Sequence, residues 1–169
     1  SSPKIHHYML RISGSITILG NNATLARRTL TQEDYDNKTG AASMLFFDNA
    51  ERTQSDNSNE INDRQYVIIR GLTLHGGMSA NIERTLAGAG GQGGMANGIH
   101  IQGTKSLYLE LEAVRVMEFP AEGIFGGEGA QNAKVKAFGC TFTNCQPSVW
   151  NVYTSHYKRV AVSIAYCCS

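Results

Sequence analysis

Leu109-Glu-Leu-Glu-Ala-Val-Arg-Val116 alternates apolar and polar residues over eight positions, and the small residue Ala113 interrupts the alternation. This pattern is typical of two short β-strands, each with one buried face, joined by a tight step. Three other segments share it: 67–74 (VIIRGLTL), 135–142 (VKAFGCTF) and 160–167 (VAVSIAYC). The last three of the four segments start at positions 109, 135 and 160, so the pattern returns after 26 and then 25 residues. Repeats this short cannot each enclose a core, so we expect them to stack on their neighbours.

A second short pattern precedes these strand pairs at the same period. The segments 98–101 (GIHI), 123–126 (GIFG) and 148–151 (SVWN) start 25 residues apart. Each repeat therefore contains three short strands. This predicts an all-β fold, a right-handed, single-stranded parallel β-helix: a solenoid of about five to six rungs, where one rung is one circuit of the chain. Strands on successive rungs would pair in parallel about 4.8 Å apart.

The period predicts a single domain over residues 1–169. The segment 10–20 (LRISGSITILG) is expected to be a further strand pair with one inserted residue, and 43–48 (SMLFFD) a further strand. A chain that starts at Ser1 without Met is expected to be a processed product or part of a longer protein. Three stretches are polar or rich in glycine and are predicted to be insertion loops: 26–43, 49–63 and 79–97.

The same alignment predicts the direction of the side chains. Two internal columns are expected, one of Val67, Leu109, Val135 and Val160, the other of Ile69, Leu111, Ala137 and Val162. The interposed residues should face outward: Ile68, Glu110, Lys136 and Ala161. Two pairs of opposite charge should then be neighbours on adjacent rungs, each worth a few tenths of a kcal/mol. One is Glu110 with Lys136; the other is Arg70 with Glu112, provided that residues 75–97 bulge out without adding a rung.

Composition excludes several classes of protein. Only 17% of the residues are charged, the formal net charge is +1, and no run of Lys or Arg forms a basic stripe. Nucleic acid is therefore an unexpected partner, because phosphate binding depends on clustered positive charge. No stretch approaches the roughly 18 apolar residues of a membrane span, so no membrane partner is expected either.

The glycine-rich segment 87–98 contains Gly88-Ala-Gly-Gly-Gln-Gly93, a literal match to the dinucleotide-binding pattern. That pattern functions only between a strand and the N-terminus of a helix. Here no strand leads into the segment and a predicted strand follows it, so a loop between rungs is the better interpretation. We expect no cofactor.

Four cysteines fall in the last two repeats: Cys140, Cys145, Cys167 and Cys168. Buried free thiols are the first interpretation, because cysteine is among the most buried residue types. A disulfide between Cys145 and Cys168 stays open as the alternative. The spacing does not match a zinc site, and no metal ion is expected.

Several segments resemble the pectate-lyase-like right-handed parallel β-helix superfamily, and most of all its bacteriophage tailspike and adhesin domains. The segments are 16–25 (ITILGNNATL), 45–50 (LFFDNA), 66–77 (YVIIRGLTLHGG) and 138–145 (FGCTFTNC). The resemblance implies the β-helix and an action on long carbohydrate chains, as lyase, hydrolase or spike. No aspartate follows Asp63, so the later repeats lack the aspartate ligands that hold calcium in pectate lyases. The Gly-His-Gly segment of polygalacturonases has only 74–77 (LHGG) as a partial match, so the spikes are the nearest subfamily.

Three residues are predicted to bind glycan, because a period of 25 places them in one outward-facing column: His100, Phe125 and Trp150. Sugar rings have apolar faces that stack on aromatic rings, so the column would hold an extended glycan. The alternative is that these rings pack beneath a loop or in a subunit interface.

Acid–base chemistry has weaker candidates. Glu118, Glu122 and Glu128 flank the turn at Pro120, and glycosidases need two carboxyl groups about 5–5.5 Å or about 6.5–9.5 Å apart. Solvated turn carboxylates are the alternative interpretation. His75 and His100 are candidate bases, and surface histidines without catalytic function are the alternative.

These observations leave three hypotheses for function. The first is a virion-associated spike or adhesin, located on the virion or outside the cell, that binds cell-surface polysaccharide; whether it also depolymerises the polymer stays open. The last strand segment would leave an open edge, so we expect either that the chain continues beyond Ser169 or that a partner subunit covers the edge. The second case predicts a homo-oligomer, a trimer by analogy with spikes. The second hypothesis is a secreted monomeric polysaccharide lyase or glycoside hydrolase. The third is a structural module without a ligand.

Overall fold

The structure is a computed structural model, and it describes residues 8–33, 43–48, 64–78, 97–102, 106–126, 133–145, 149–151 and 161–165. Among these residues are fourteen β-strands in three sheets. The strands of the first sheet are β1 (Tyr8–Ile12), β4 (Ser43–Asp48), β7 (Ile99–Gln102), β10 (Ile124–Gly126) and β13 (Val149–Asn151). The strands of the second sheet are β2 (Ile16–Leu19), β5 (Gln65–Arg70), β8 (Leu107–Glu112), β11 (Ala133–Phe138) and β14 (Ala161–Ala165). The strands of the third sheet are β3 (Thr24–Ala26), β6 (Thr73–His75), β9 (Arg115–Met117) and β12 (Thr141–Thr143).

The chain visits the three sheets in rotation, so that each strand lies beside the strand three places later in the chain. Among the described residues, all the strand pairs are parallel, in the first sheet, the second and the third. The prediction of an all-β protein built from parallel strands is confirmed. In the part of the chain that the structure describes, no helix has the length and apolar character needed to cross a membrane.

Apolar side chains of successive strands form the core in vertical columns. Val67 pairs with Leu109, and Leu109 with Val135, and all three are almost completely buried. Ile69, Leu111 and Ala137 form the neighbouring column in the same way. Burying a large aliphatic side chain stabilises a fold by about 1.5–3 kcal/mol, so these columns contribute much of the hydrophobic stabilisation.

The predicted columns are wrong in their fourth member. Val135 pairs with Val162 rather than Val160, and Ala137 pairs with Ile164. Likewise Lys136 is beside Ser163, not beside Ala161. The error is a slip of two residues. Both registers satisfy the same apolar pattern, because a strand repeats its sidedness every two residues.

The expected strand pair at 10–20 also differs from the structure. Its first half is β1, where Leu10 pairs with Leu45 in the first sheet. Its second half is β2, where Ile16 pairs with Val67 in the second sheet. The prediction treated this segment like the strand pairs at 67–74 and 109–116, which occupy the second and third sheets. Its two strands instead occupy the first and second sheets, because alternation alone does not determine which sheet a strand joins. The predicted strand at 43–48 is confirmed as β4.

Tight turns connect the second sheet to the third, at the small residues that interrupt the alternation. Gly71, Ala113 and Gly139 have positive φ angles of 59°, 51° and 57°. Backbone hydrogen bonds join each of these turns to the equivalent turn on the adjacent strand. The amide of Gly71 donates to the carbonyl of Glu112, and the amide of Ala113 donates to the carbonyl of Phe138, both at 2.9 Å. The left-handed conformation favours glycine, which explains two of the three residues.

The predicted insertion loops lie mostly outside the described residues. The start of the loop at 26–43 is described, and it continues along the third sheet. There the amide of Arg27 donates to the carbonyl of His75, and the amide of Leu30 donates to that of Gly77. Leu30 then packs against Met78 in a small apolar cluster of its own.

Candidate functional site

The predicted column on the first sheet exists in the backbone register. Phe125 pairs with His100 on one side and with Trp150 on the other, so the spacing of 25 residues is confirmed. Phe46 extends the column, because it pairs with His100 from β4. The ring centroids of Phe46 and His100 are 5.0 Å apart at an interplanar angle of 81°, and those of His100 and Phe125 are 5.0 Å apart at 74°. We call Phe46, His100 and Phe125 the first-sheet aromatic column; the Trp150 side chain lies outside the described residues.

Burial limits what this column presents to a ligand. His100 is only 6% exposed, although the core residues Ile99 and Ile101 flank it on the opposite face of β7. Phe125 is half-buried. Edge-to-face rings stabilise each other by about 0.5–1.5 kcal/mol beyond their buried area. The His100 ring therefore packs between its neighbours, which favours the packing interpretation for this residue. The glycan-binding role of Phe125 and Trp150 stays a prediction.

The outward face of the second sheet brings together aromatic and charged side chains that the sequence reasoning did not combine. We call it the second-sheet outer face. It consists of alternate residues of three adjacent strands: Tyr66, Ile68 and Arg70 on β5; Tyr108, Glu110 and Glu112 on β8; Lys134, Lys136 and Phe138 on β11. The sequence did carry a signal for it. Extending the predicted outward positions 68, 110 and 136 by two residues in each direction produces the whole set.

Two tyrosines on neighbouring strands form the aromatic part of this face. The rings of Tyr66 and Tyr108 are 5.8 Å apart between centroids, at an interplanar angle of 44°. Tyr66 is 50% exposed, and Tyr108 is half-buried. The Nζ atom of Lys136 lies 5.3 Å from the centroid of the Tyr108 ring, within the range of a cation–π contact.

Ion pairs and hydrogen bonds organise the rest of the face. The Nε atom of Arg70 lies 2.7 Å from Oε2 of Glu112, and its Nη2 atom lies 3.6 Å from Oε1 of Glu110. The hydroxyl of Tyr108 donates to Oε2 of Glu110 at 3.2 Å. The hydrogen bond with Tyr108 is the main cause that raises the pKa of Lys136, and the Glu110 carboxylate adds to it. Both predicted charge neighbours are confirmed, Arg70 beside Glu112 and Glu110 beside Lys136.

Glu122 is not the solvated turn carboxylate of the alternative interpretation. Its side chain is only 8% exposed, and its backbone amide donates to Oδ1 of the buried Asn97 at 3.0 Å. Burial raises the pKa of the Glu122 carboxyl, and a backbone hydrogen bond lowers it in part. Phe119 and Ala121, on either side of Pro120, are buried as well, so the whole turn packs against the core. Sequence reasoning missed this, since a turn with a proline and two glutamates is usually exposed.

The other candidate acids and bases are less suited to catalysis. Glu118 has a positive φ of 59°, and its carboxylate accepts a hydrogen bond from Nδ2 of Asn144. Nδ1 of His75 accepts the amide hydrogen of Gly77 at 3.1 Å, so this ring stabilises its own turn. Glu128 lies outside the described residues. Proximity of two carboxyl groups, which a glycosidase needs, stays a prediction.

Within the described ranges, no group of three or more His, Cys, Asp or Glu residues is arranged to hold a metal ion. Cys140 is a half-buried free thiol whose Sγ lies 3.5 Å from the carbonyl of Leu111, and burial raises the pKa of this thiol. The thiol of Cys145 contacts the carbonyl of Val116 at 3.6 Å. Cys167 and Cys168, the other members of the predicted set, lie outside the described residues.

Comparison with known proteins adds no relative. No protein-family model, no curated protein and no solved structure matches this chain.

Proposed function

We propose that this chain is a right-handed parallel β-helix of the tailspike or adhesin type, about five to six rungs long, that binds cell-surface polysaccharide. The rotation of the chain through three parallel sheets supports the coil. The right-handed sense follows from the general preference of parallel crossovers. A stack of this kind is rigid along its axis and repeats at one strand spacing, about 4.8 Å, which suits a repetitive polymer lying on its surface.

The observation that carries the proposal is the Tyr66–Tyr108 pair. Tyrosine combines a large apolar ring with a hydroxyl, which matches the apolar face and polar rim of a sugar ring. The two rings are neighbours across adjacent strands, and Tyr66 is half exposed. A sugar stacked on one ring would therefore continue onto the other, along the axis of the stack.

The test is binding of the chain to a panel of bacterial surface and plant polysaccharides, measured by retention on immobilised polymer and by titration calorimetry. We expect Tyr66→Ala and Tyr108→Ala each to weaken binding about two- to ten-fold, as for loss of an aromatic stacking contact of about 0.5–1.5 kcal/mol. Phe138→Ala is the matched control: it removes an exposed aromatic ring from the same face, two columns of side chains away from the tyrosines along the strand direction. Equal losses of affinity for all three variants would refute the assignment of the site to the tyrosines. Failure of the wild-type chain to bind any polymer of the panel would refute polysaccharide binding itself.

Phe125→Ala separates this surface from the first-sheet aromatic column. If Phe125→Ala abolishes binding while Tyr66→Ala does not, the glycan lies on the first sheet, as the sequence predicted. The proposal of polysaccharide binding would then stand, and its site would move.

Assembly into a homotrimer on a virion or outside the cell belongs to the same proposal. Multi-angle light scattering of the purified chain measures the mass of the assembly. A monomer at all concentrations would contradict the trimer and favour the secreted-enzyme hypothesis.

A hydrolase or lyase is the second candidate function, and Glu122 is the observation that favours it. A carboxyl with a raised pKa is what a general acid near neutral pH requires. Incubation with the same panel, followed by assays for new reducing ends and for unsaturated products, tests it. Cleavage that Glu122→Gln abolishes would establish the enzyme, and an undigested panel that still binds would establish the binding module.

A further inference from the structure

We infer that the second-sheet outer face selects an acidic saccharide, one that carries carboxylate or sulfate groups, and that Lys134 and Lys136 make this selection. The inference rests on the proposed function, and it names the class of polysaccharide that the Tyr66–Tyr108 surface takes.

The charges of the face are unevenly distributed. Its two carboxylates, Glu110 and Glu112, both lie on β8, and Arg70 forms an ion pair with each of them. The two lysines lie together on β11 and both lie on its outward side. The face therefore has three cations and two carboxylates. Lys136 lies beside Glu110, whereas Lys134 lies beside Tyr108 and Ala161 in the strand register, so the surplus positive charge is on β11, at Lys134.

The lysines are placed where a stacked sugar would bring its charged group. Lys134 is exposed and pairs directly with Tyr108 in the strand register. Lys136 reaches back over the Tyr108 ring, with Nζ 5.3 Å from the ring centroid. From β5 to β11 is two strand spacings, about 10 Å, which suits a disaccharide unit. A sugar ring on Tyr108 would thus direct an acidic substituent at the two ammonium groups.

Apolar partners fit this face less well. Its exposed apolar residues Tyr66 and Phe138 lie at opposite corners, and the Arg70–Glu112 ion pair occupies the space beside Phe138. Isolated apolar side chains of this kind are normal on a protein surface and do not indicate a protein interface. Charge complementarity therefore favours a polyanion that can also stack on aromatic rings.

The experiment compares polygalacturonate with fully methyl-esterified polygalacturonate, which has the same backbone without the charge. Binding is measured for the wild type, for the double variant K134Q/K136Q and for Tyr66→Ala. Arg115→Gln is the matched control, since it removes an exposed cation from the third sheet. We expect the wild type to prefer the acid polymer, and the double variant to lose roughly ten-fold in affinity for it, as for about 1.4 kcal/mol.

Each outcome has a distinct meaning. If the double variant loses affinity for the acid polymer only, while Tyr66→Ala loses affinity for both polymers, the inference is supported. If the wild type binds both polymers equally, or if Arg115→Gln costs as much as the double variant, the inference is overturned and polysaccharide binding survives. If neither polymer nor any other polysaccharide binds, the proposed function itself fails. Equal affinity for a single-stranded oligonucleotide would also overturn the inference, because selection would then be for negative charge alone.

Discussion

Glycines that follow strands of the second and third sheets allow a test in which one substitution, glycine to alanine, acts through two different mechanisms. Gly139 has a φ of +57°, and a Cβ atom added there would meet nothing within 4 Å. The cost of Gly139→Ala is therefore a backbone cost alone. A residue with a Cβ in the left-handed region costs about 1–2 kcal/mol, and the reduced entropy of the unfolded chain returns about 0.4–1 kcal/mol. We expect the free energy of unfolding to fall by about 1 kcal/mol.

Gly76→Ala is the steric counterpart. A Cβ atom at this position would press against the carbonyl oxygen of Glu118 and would lie 2.7 Å from Cα of Phe119. Both neighbours are backbone atoms of the adjacent strand connection, so neither moves out of the way easily. Overpacking of this kind costs about 1–3 kcal/mol, and backbone contacts belong at the upper end. The expected loss is therefore about 3 kcal/mol.

Ala113→Gly reverses the first substitution at the equivalent turn. Ala113 has a φ of +51° and is exposed. Replacing it with glycine removes about 1–2 kcal/mol of strain, and the greater entropy of the unfolded chain takes back about 0.4–1 kcal/mol, so we expect a net gain of about 0.5–1 kcal/mol. Urea-induced unfolding followed by circular dichroism measures all three variants, and an unchanged slope against urea shows that the unfolded states are comparable. A destabilised Ala113→Gly protein, or a Gly139→Ala protein that loses as much as Gly76→Ala, would refute this explanation of the turns.

Three further outcomes are expected from the same unfolding measurements. Leu109→Ala opens the middle of a buried column and should lose about 2–5 kcal/mol, and a loss below about 1 kcal/mol would contradict the column. Asn97→Ala removes the acceptor of the Glu122 amide and should lose about 1–3 kcal/mol, whereas the exposed Asn144→Ala should lose less. Burial raises the pKa of Glu122, so the folded protein binds this proton more tightly than the unfolded chain, and stability should fall as the pH rises from the ordinary glutamate pKa through the raised one. Glu122→Gln should flatten that dependence and unfold at higher urea near neutral pH; an unchanged pH profile would show that another group titrates.

The sequence alone predicted which face of its strand each side chain lies on, and which side chains share a column. The alternation in 67–70 and 109–112 predicted which side chains enter the core. The alignment of these two segments placed Arg70 beside Glu112, and the period of 25 placed His100 beside Phe125. Alternation is a local property of the extended chain, because successive side chains point to opposite faces of any strand. Sidedness and the column of each strand therefore follow from the order of residues alone, provided that the loop between two strands does not change the count.

The tertiary structure decided the features that depend on what lies opposite a residue. Val135 pairs with Val162 and not with Val160, because a two-residue shift leaves the apolar pattern unchanged and only packing distinguishes the registers. Glu122 and His100 are buried by segments distant in the chain, which no local pattern reports. The alignment that places Arg70 beside Glu112 also places Tyr66 beside Tyr108, but the separation and tilt of the two rings depend on the side chains packed around them. Local geometry is encoded in short stretches, whereas contacts between stretches are determined by the free energy of the whole packed chain.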